Sequence, residues 1–147
     1  MVRTAARAIV GCDGATFVLR DGEQCFYADE DSIAPLWKGQ RFPLTECISG
    51  WAMINGQVAA VPDIYADERI PHSAYRSTYV NSLLMTPVGQ PKAIAAIGMY
   101  WADAHRPTPT EIEAAGELAG DAAQAIDAVG LASTPWAPNF RAAVPAE

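Results

Sequence analysis

The stretch Ala15-Thr16-Phe17-Val18-Leu19-Arg20-Asp21-Gly22-Glu23-Gln24-Cys25-Phe26-Tyr27-Ala28 places two apolar-rich runs on either side of Asp21-Gly22. That dipeptide supplies positive φ at both central positions of a type I′ turn, whose twist suits the strands it joins. Residues 15–20 and 23–28 therefore read as a β-hairpin. Phe17 and Leu19 on the first strand, with Cys25 and Tyr27 or Phe26 on the second, supply enough alternating apolar residues to cover a core.

Upstream of the hairpin, Val2 to Val10 reads as the last turns of a helix with Ala5, Ala6, Ile9 and Val10 on its apolar side. Gly11 suits its left-handed C-cap. So abrupt a start at Met1 suggests a truncated first helix. Downstream, the acidic stretch from Asp29 to Gly39 reads as a loop, and Arg41 to Leu44 as a short strand. Cys47 to Asn55 suits a short helix with Ile48, Trp51, Ala52 and Ile54 inward, closed by Asn55-Gly56. Val58 to Val61 returns as a strand, Asp63 to Pro71 is a polar loop, and residues 72–80 read as another short helix. Leu83 to Val88 and Ala93 to Trp101 are strands joined by a turn at Gly89 to Lys92. On the last strand Ile94, Ala96, Gly98 and Tyr100 alternate with Ala95, Ile97, Met99 and Trp101, so both faces are expected to be covered.

Thr108-Pro109-Thr110-Glu111 forms a capping box with proline at the first helical position, starting a helix that runs to Val129. Ile112, Ala119 and Ile126 are spaced by seven, as are Ala115, Ala122 and Val129. This seam suits either packing on a sheet or pairing with a second helix, and one helix can do both. Residues 130–147, with Pro135, Pro138 and Pro145 among alanines, read as a linker or extended tail. The whole is one α+β domain over residues 1–129, with a mostly antiparallel sheet of about six strands.

Half of the 147 residues are apolar and 18% are charged, which fits a single compact core and excludes a disordered chain. The net charge of −7 opposes nucleic-acid and anionic-membrane partners, which require a basic footprint. No apolar stretch is long enough to span a membrane, and no export signal is visible. Cys12, Cys25 and Cys47 match no paired-cysteine metal spacing and read as reduced thiols of a cytoplasmic protein.

Catalytic motifs are missing: there is no P-loop, GxGxxG, HExxH or GxSxG. His72 and His105 read as exposed loop residues, and Asp29-Glu30-Asp31 as solvated surface. No metal site is expected. The notable feature is instead a concentration of large side chains, Trp37, Phe42, Trp51, Tyr65, Tyr75, Tyr79 and Met85, which either line a pocket or fill a second core beneath the loops.

Residues 2–129 resemble the GAF family. The resemblance is carried by Gly11-Cys12-Asp13-Gly14-Ala15-Thr16 leading into the Leu19-Arg20-Asp21-Gly22 hairpin, and by residues 35–43, which begin Pro35-Leu36-Trp37. Further matches are Cys47-Ile48-Ser49-Gly50-Trp51, Asp63-Ile64-Tyr65, Asp67-Glu68-Arg69-Ile70-Pro71 and Ala96-Ile97-Gly98-Met99-Tyr100-Trp101. The pattern is similar to the subgroup found in front of bacterial histidine kinases. It implies a PAS-like sheet with both terminal helices on one face, and a pocket on the other made by short helices and loops. Members bind cyclic nucleotides, bilins, haem or small metabolites, or only dimerise.

Departures from the family narrow these choices. Residues 72–79 lack the cysteine that anchors bilins, so no covalent bilin is expected. Gly89-Gln90-Pro91-Lys92 and residues 105–111 lack the cyclic-nucleotide signature. The enzymatic relatives, free methionine sulfoxide reductases, need a Cys-Gly thiol where this chain has Ser49, and a Gly-His-Ile-Ala-Cys motif that has no counterpart here.

The resemblance therefore implies a non-catalytic sensory domain, the input of a two-component histidine kinase, acting as a homodimer through its terminal helices. An unknown small molecule would sit among Trp37, Phe42, Ser49, Trp51, Asp63, Tyr75, Tyr79 and Met85. Asp63 or Ser49 would anchor it, and Trp37 and Tyr79 would form walls. The alternatives are a methionine sulfoxide reductase using Cys47, and a purely structural dimerisation module.

Overall fold

The hairpin forms with a correction to its turn. β1 (Gly14–Asp21) pairs antiparallel with β2 (Gln24–Ser32), and Asp21 stands opposite Gln24. The central turn residues are therefore Gly22 and Glu23. Only Gly22, at φ +62°, has positive φ, and no non-glycine does among the described residues. One positive φ at the first central position is the type II′ pattern, which needs glycine there and lets Asp21 stay in the strand.

A second correction concerns β2, which continues through Asp29, Glu30, Asp31 and Ser32 where a loop was expected. Pairing slips between Phe17 and Val18, so Ala28 is an extra, bulged residue before the acidic run. Acidic residues have low strand propensity, but here β1 supplies a ladder partner for each of them.

The computed structural model describes Arg7, residues 11–89 and residues 91–129, with side chains to residue 126 at the C-terminal end. The remaining strands are β3 (Arg41–Pro43), β4 (Ala59–Val61), β5 (Ser82–Val88) and β6 (Ala95–Trp101). Helices are α1 (Ile48–Asn55), the single turn α2 (His72–Tyr75) and α3 (Pro109–Val129), with 3-10 turns at Leu44–Glu46 and Ile64–Ala66. The expected helix over 72–80 is thus only one turn long. The six strands form one antiparallel sheet in the order β3-β2-β1-β6-β5-β4. Pro87 is tolerated in β5 because it lies beyond the stretch that pairs with β4.

Every residue of β6 is buried, as its two apolar faces required. One face joins Ala15, Phe17, Leu19, Leu84, Val88, Ile97 and Met99 to α3, which contributes Ala115, Ala119, Ala122 and Ile126. The small-residue seam therefore lies on the protein's own sheet, where alanines let the helix approach closely. Val129, the last member of the seam, lies outside the described side chains. The capping box forms: Thr108 Oγ1 accepts from the Glu111 N–H at 3.1 Å, and Glu111 Oε1 accepts from the Thr108 N–H at 2.8 Å. Of the expected first helix only Arg7 is described; its carbonyl accepts from the Gly11 N–H at 2.8 Å, and Gly11 has φ +66°. The tail over 130–147 lies outside the described residues.

The opposite sheet face carries a second core made by Val18, Cys25, Tyr27, Leu83, Met85, Ala96 and Tyr100, covered by Ile48, Ala52 and Met53 of α1. Ile54, expected inward, is 53% exposed. Ile48, Ser49, Ala52 and Met53 take the inner side instead, so the helix is rotated from the expected face.

Candidate functional site

The second core is capped by a segment with little regular structure, and Glu30 holds it in place. Its Oε1 accepts from the N–H groups of Trp37 and Lys38, both at 3.0 Å, and its Oε2 from that of Leu36 at 3.0 Å. A carboxylate accepting several backbone N–H groups is a strong local fastener. Asp31 pairs with Arg7 at 3.0 Å and Asp29 with Lys38 at 3.4 Å, so the acidic run organises its surroundings rather than merely meeting solvent.

Trp37 is delivered by that loop onto the sheet. Its indole N–H donates to Ala74 O at 3.1 Å, and its ring lies 4.6 Å from Tyr75, 5.4 Å from Tyr100 and 5.6 Å from Tyr27. Phe42 meets Tyr27 edge-on at 5.6 Å. The rings leave a cavity of about 10 Å³ between Tyr27, Trp37, Phe42, Cys47, Pro71, Ala74 and Tyr75, room for about one water. Outside Trp37 a groove of about 310 Å³ runs between Pro35, Leu36, Gln40 and Phe42 on one wall and Ser73, Ala74, Ser77 and Thr78 on the other. Burial raises the phenol pKa values of Tyr27, Tyr75 and Tyr100 well above the ordinary tyrosine value.

Beside the rings runs a chain of thiols and hydroxyls. Cys47 Sγ lies 3.0 Å from Cys25 Sγ, 3.3 Å from Ser49 Oγ and 3.5 Å from Pro43 O, and Ser49 Oγ lies 3.0 Å from Tyr27 Oη. Cys47 precedes the first turn of α1, where Gly50 permits close packing. A Cβ on Gly50 would overlap the Leu44 backbone, coming within 2.6 Å of its carbonyl carbon. The hydrogen bond with Cys25 lowers the Cys47 pKa to about 7 against the opposing effect of burial, helped by Ser49 and the Gly50 N–H. The same contact, with burial, raises that of Cys25. One thiol of the pair is thus primed to ionise while the other retains its proton.

The expected site residues divide. Trp37 and Tyr75 meet within the ring cluster, Phe42 joins at its edge, Met85 lies beneath in β5, and Ser49 belongs to the thiol chain. Three lie outside the ring cluster, although Trp51 and Tyr79 pack against the same core. Trp51 is half-buried on the outer side of α1, with the Arg69 guanidinium 4.3 Å above its ring. Asp63 is exposed, and its Oδ1 accepts the Tyr65 N–H at 3.0 Å, capping the following 3-10 turn. Tyr79 hydrogen-bonds Ser32 Oγ over Gly14, where a Cβ would collide with it.

Both histidines are half-buried and bonded, contrary to the exposed-loop reading. His72 Nε2 contacts Ile64 O at 2.9 Å and Asp67 O at 3.0 Å, while His105 Nε2 lies 2.7 Å from Glu111 Oε1 with its ring 4.4 Å from Trp101. Among the described residues, no three His, Cys, Asp or Glu side chains are grouped to hold a metal ion. Sequence reasoning missed Cys25 and Tyr27 as neighbours of Cys47. Their alternation on β2 was visible, but the α1 packing that brings Cys47 to them was not.

The family model described as GAF domain matches residues 1–127. Comparison with curated protein sequences gives no match. Among solved structures, a free methionine-R-sulfoxide reductase from Neisseria meningitidis is similar with TM-score 0.74 and 19% identity, over 86% of this chain and 74% of that one. The GAF domain of a phosphoenolpyruvate-protein phosphotransferase from Coxiella burnetii has TM-score 0.76 and 14% identity, over 87% and 79%. A domain of a putative two-component sensor histidine kinase protein from Sinorhizobium meliloti 1021 has TM-score 0.68 and 15% identity, over 86% of each chain. At these identities the neighbours report the fold, while the family match covers most of the sequence, and the chain belongs to the GAF domain family.

Proposed function

We propose that this GAF domain is the sensory input of a bacterial two-component signalling protein, binding a small molecule in the groove beside the cap that holds Trp37. The observation that carries this reading is the groove of about 310 Å³ outside the Trp37–Tyr75 pair. Its size is at the lower end for ligand sites, about 300–1,000 Å³, and its walls mix apolar bodies with hydroxyl and amide groups. The cap is tied down by Glu30, by one indole hydrogen bond and by backbone hydrogen bonds of Gly39 and Gln40 with Tyr27, so a ligand in the groove can shift Trp37 while the central strands stay paired. The neighbour from a sensor histidine kinase supports the signalling context.

The test is a melting-temperature screen with nucleobases and aromatic carboxylates, because a ligand that binds only the folded state raises the transition. A binder should lose its effect in Ala74→Phe, which fills the groove. A screen in which no compound shifts the wild type would sink the reading.

Homodimerisation and a cytoplasmic location complete the proposal. Because the seam of α3 is covered by the sheet, a helix-mediated dimer would use the exposed side with Glu113, Gly116, Glu117, Gly120 and Gln124. Light scattering across concentration tests the dimer. Among the described residues no helix is long and apolar enough to cross a membrane.

A second reading, a thiol-dependent sulfoxide reductase, is favoured by the lowered pKa of Cys47 beside Cys25. Turnover of free methionine-R-sulfoxide with dithiothreitol, abolished by Cys47→Ser, would replace the sensory reading with this one.

A further inference from the structure

We propose that Cys47 is a site of reversible oxidation by hydrogen peroxide, and that Cys25 resolves the oxidised sulfur into a Cys25–Cys47 disulfide. The two sulfurs lie 3.0 Å apart, and a disulfide needs about 2.05 Å, so the sulfurs themselves must approach by about 1 Å. Cys25 sits on β2, fixed between β1 and β3. Cys47 sits outside the sheet, at the junction between the Leu44–Glu46 turn and α1.

Access is provided from outside. Although only 5% exposed, Cys47 lines a groove of about 260 Å³ with Leu44, Thr45, Trp51, Asn55 and Arg69. An oxidant little larger than water can reach the sulfur there. Cys12, buried on the other sheet face against α3, has neither a thiol neighbour nor this groove. It serves as an internal control.

The chemistry balances with peroxide as the sole oxidant. The Cys47 thiolate attacks one peroxide oxygen, the O–O bond breaks, and the departing hydroxide takes a proton to become water, leaving a sulfenic acid on Cys47. Cys25 then attacks the Cys47 sulfur, an S–S bond forms, and the S–O bond breaks. The released hydroxide combines with the Cys25 proton as a second water. Two electrons pass from the two thiols to peroxide. The first step also prepares the second: the interaction that contributes most to holding the proton on Cys25 is its hydrogen bond to Cys47, and this is lost once Cys47 no longer carries the negative charge. Ser49 links the changed sulfur to Tyr27, whose ring touches Trp37 and Phe42, so oxidation acts on the cap. The proposal does not depend on a ligand in the groove beside that cap.

The test treats the reduced 147-residue chain with a small excess of hydrogen peroxide at pH 7, blocks remaining thiols, and maps peptides without reduction. Cleavage after Lys38 and Arg41 separates the two cysteines, so a cross-linked pair of peptides containing Cys25 and Cys47 is expected, and dithiothreitol should reverse it. Cys47 should react at least ~10-fold faster than Cys12, following its thiolate fraction. In Cys25→Ala, checked for folding by circular dichroism, Cys47 should oxidise more slowly, because the hydrogen bond that lowers its pKa is gone, and should stop at a dimedone-reactive sulfenic acid. The proposal is overturned if native Cys47 reacts no faster than Cys12, or if the cross-link forms only after unfolding in urea.

Discussion

Gly98 makes room for the phenol of Tyr100, two residues ahead on the same face of β6. A Cβ at Gly98 would collide with Tyr100 Oη and come within 2.7 Å of Thr16 Oγ1. The two oxygens lie 2.8 Å apart in a buried hydrogen bond that ties the central strands together beneath the ring cluster. Glycine is required here for space rather than for an unusual φ.

Gly98→Ala is therefore expected to destabilise the fold by ~1–3 kcal/mol through overpacking. Tyr100→Phe should cost ~1–3 kcal/mol by leaving Thr16 Oγ1 without its partner. The two costs should not add: with the Tyr100 hydroxyl gone, the extra methyl at position 98 has less to strike. Urea denaturation of the two single variants and the double variant measures the coupling. Additive costs would show that the phenol and Gly98 do not share this space.

Glu30→Ala should release the Trp37 loop. The carboxylate accepts three backbone N–H groups, and hydrogen bonds to a charged group are worth ~1.5–3 kcal/mol each net. The loss should appear mainly as faster amide exchange at Leu36, Trp37 and Lys38, with a smaller fall in global stability. Glu30→Gln, which keeps one acceptor oxygen, should lie between. Unchanged exchange at these amides in Glu30→Ala would show that the loop is held without the carboxylate, by its aromatic contacts, the Trp37 indole and the backbone bonds of Gly39 and Gln40 to Tyr27.

The same acid shows where reading from sequence reached its limit. Elements specified by local chemistry were legible: the Asp21-Gly22 turn region, the Thr108–Glu111 box, and the two-faced apolar pattern of β6. Asp29–Ser32 was not, because nothing in four consecutive polar residues announces a strand when the partner strand, a bulge away, is what makes one. The ring cluster was partly legible, since Trp37, Phe42 and Tyr75 were singled out as large amphipathic side chains. Asp63 and Tyr79 lie outside the ring cluster, the first because it caps the turn that follows it and the second because its phenol reaches Ser32 at the end of β2. The Cys25–Cys47 pairing is a tertiary fact with no local spacing to signal it.

The start of α3 should respond to acid. Burial works against ionisation of Glu111, but the Thr108 backbone N–H and His105 more than offset it and hold the carboxyl pKa below its usual 4.5. A folded-state pKa lower than the unfolded one contributes stability above the unfolded value, and this is lost as pH falls through the folded value. The stability advantage of wild type over Glu111→Gln should thus be present at pH 6 and shrink between about pH 5 and pH 3. Thr108→Ala should cost ~1 kcal/mol as an N-cap loss. Thermal melts across that pH range measure both, and an advantage that does not change with pH would remove the carboxylate's charge from the account.

Alkali should unfold the domain through its buried phenols. Of five tyrosines, Tyr27, Tyr75 and Tyr100 are 2% exposed or less, and burial raises the pKa of each well above the ordinary 10.0. A group whose pKa is raised in the folded state contributes stability that is complete below the unfolded value and lost as pH rises above it. The fold should therefore weaken above about pH 10, and the buried phenols should ionise only as it opens. Tyrosinate absorbance and near-ultraviolet circular dichroism, followed together, should show the buried fraction appearing at the same pH at which tertiary structure disappears. Tyr100→Phe removes one such group and should reduce the steepness of that loss. If the three phenols titrated smoothly while the near-ultraviolet signal persisted, water would have to reach the ring cluster in the folded state, and the packing around Trp37 would be looser than the ring contacts described.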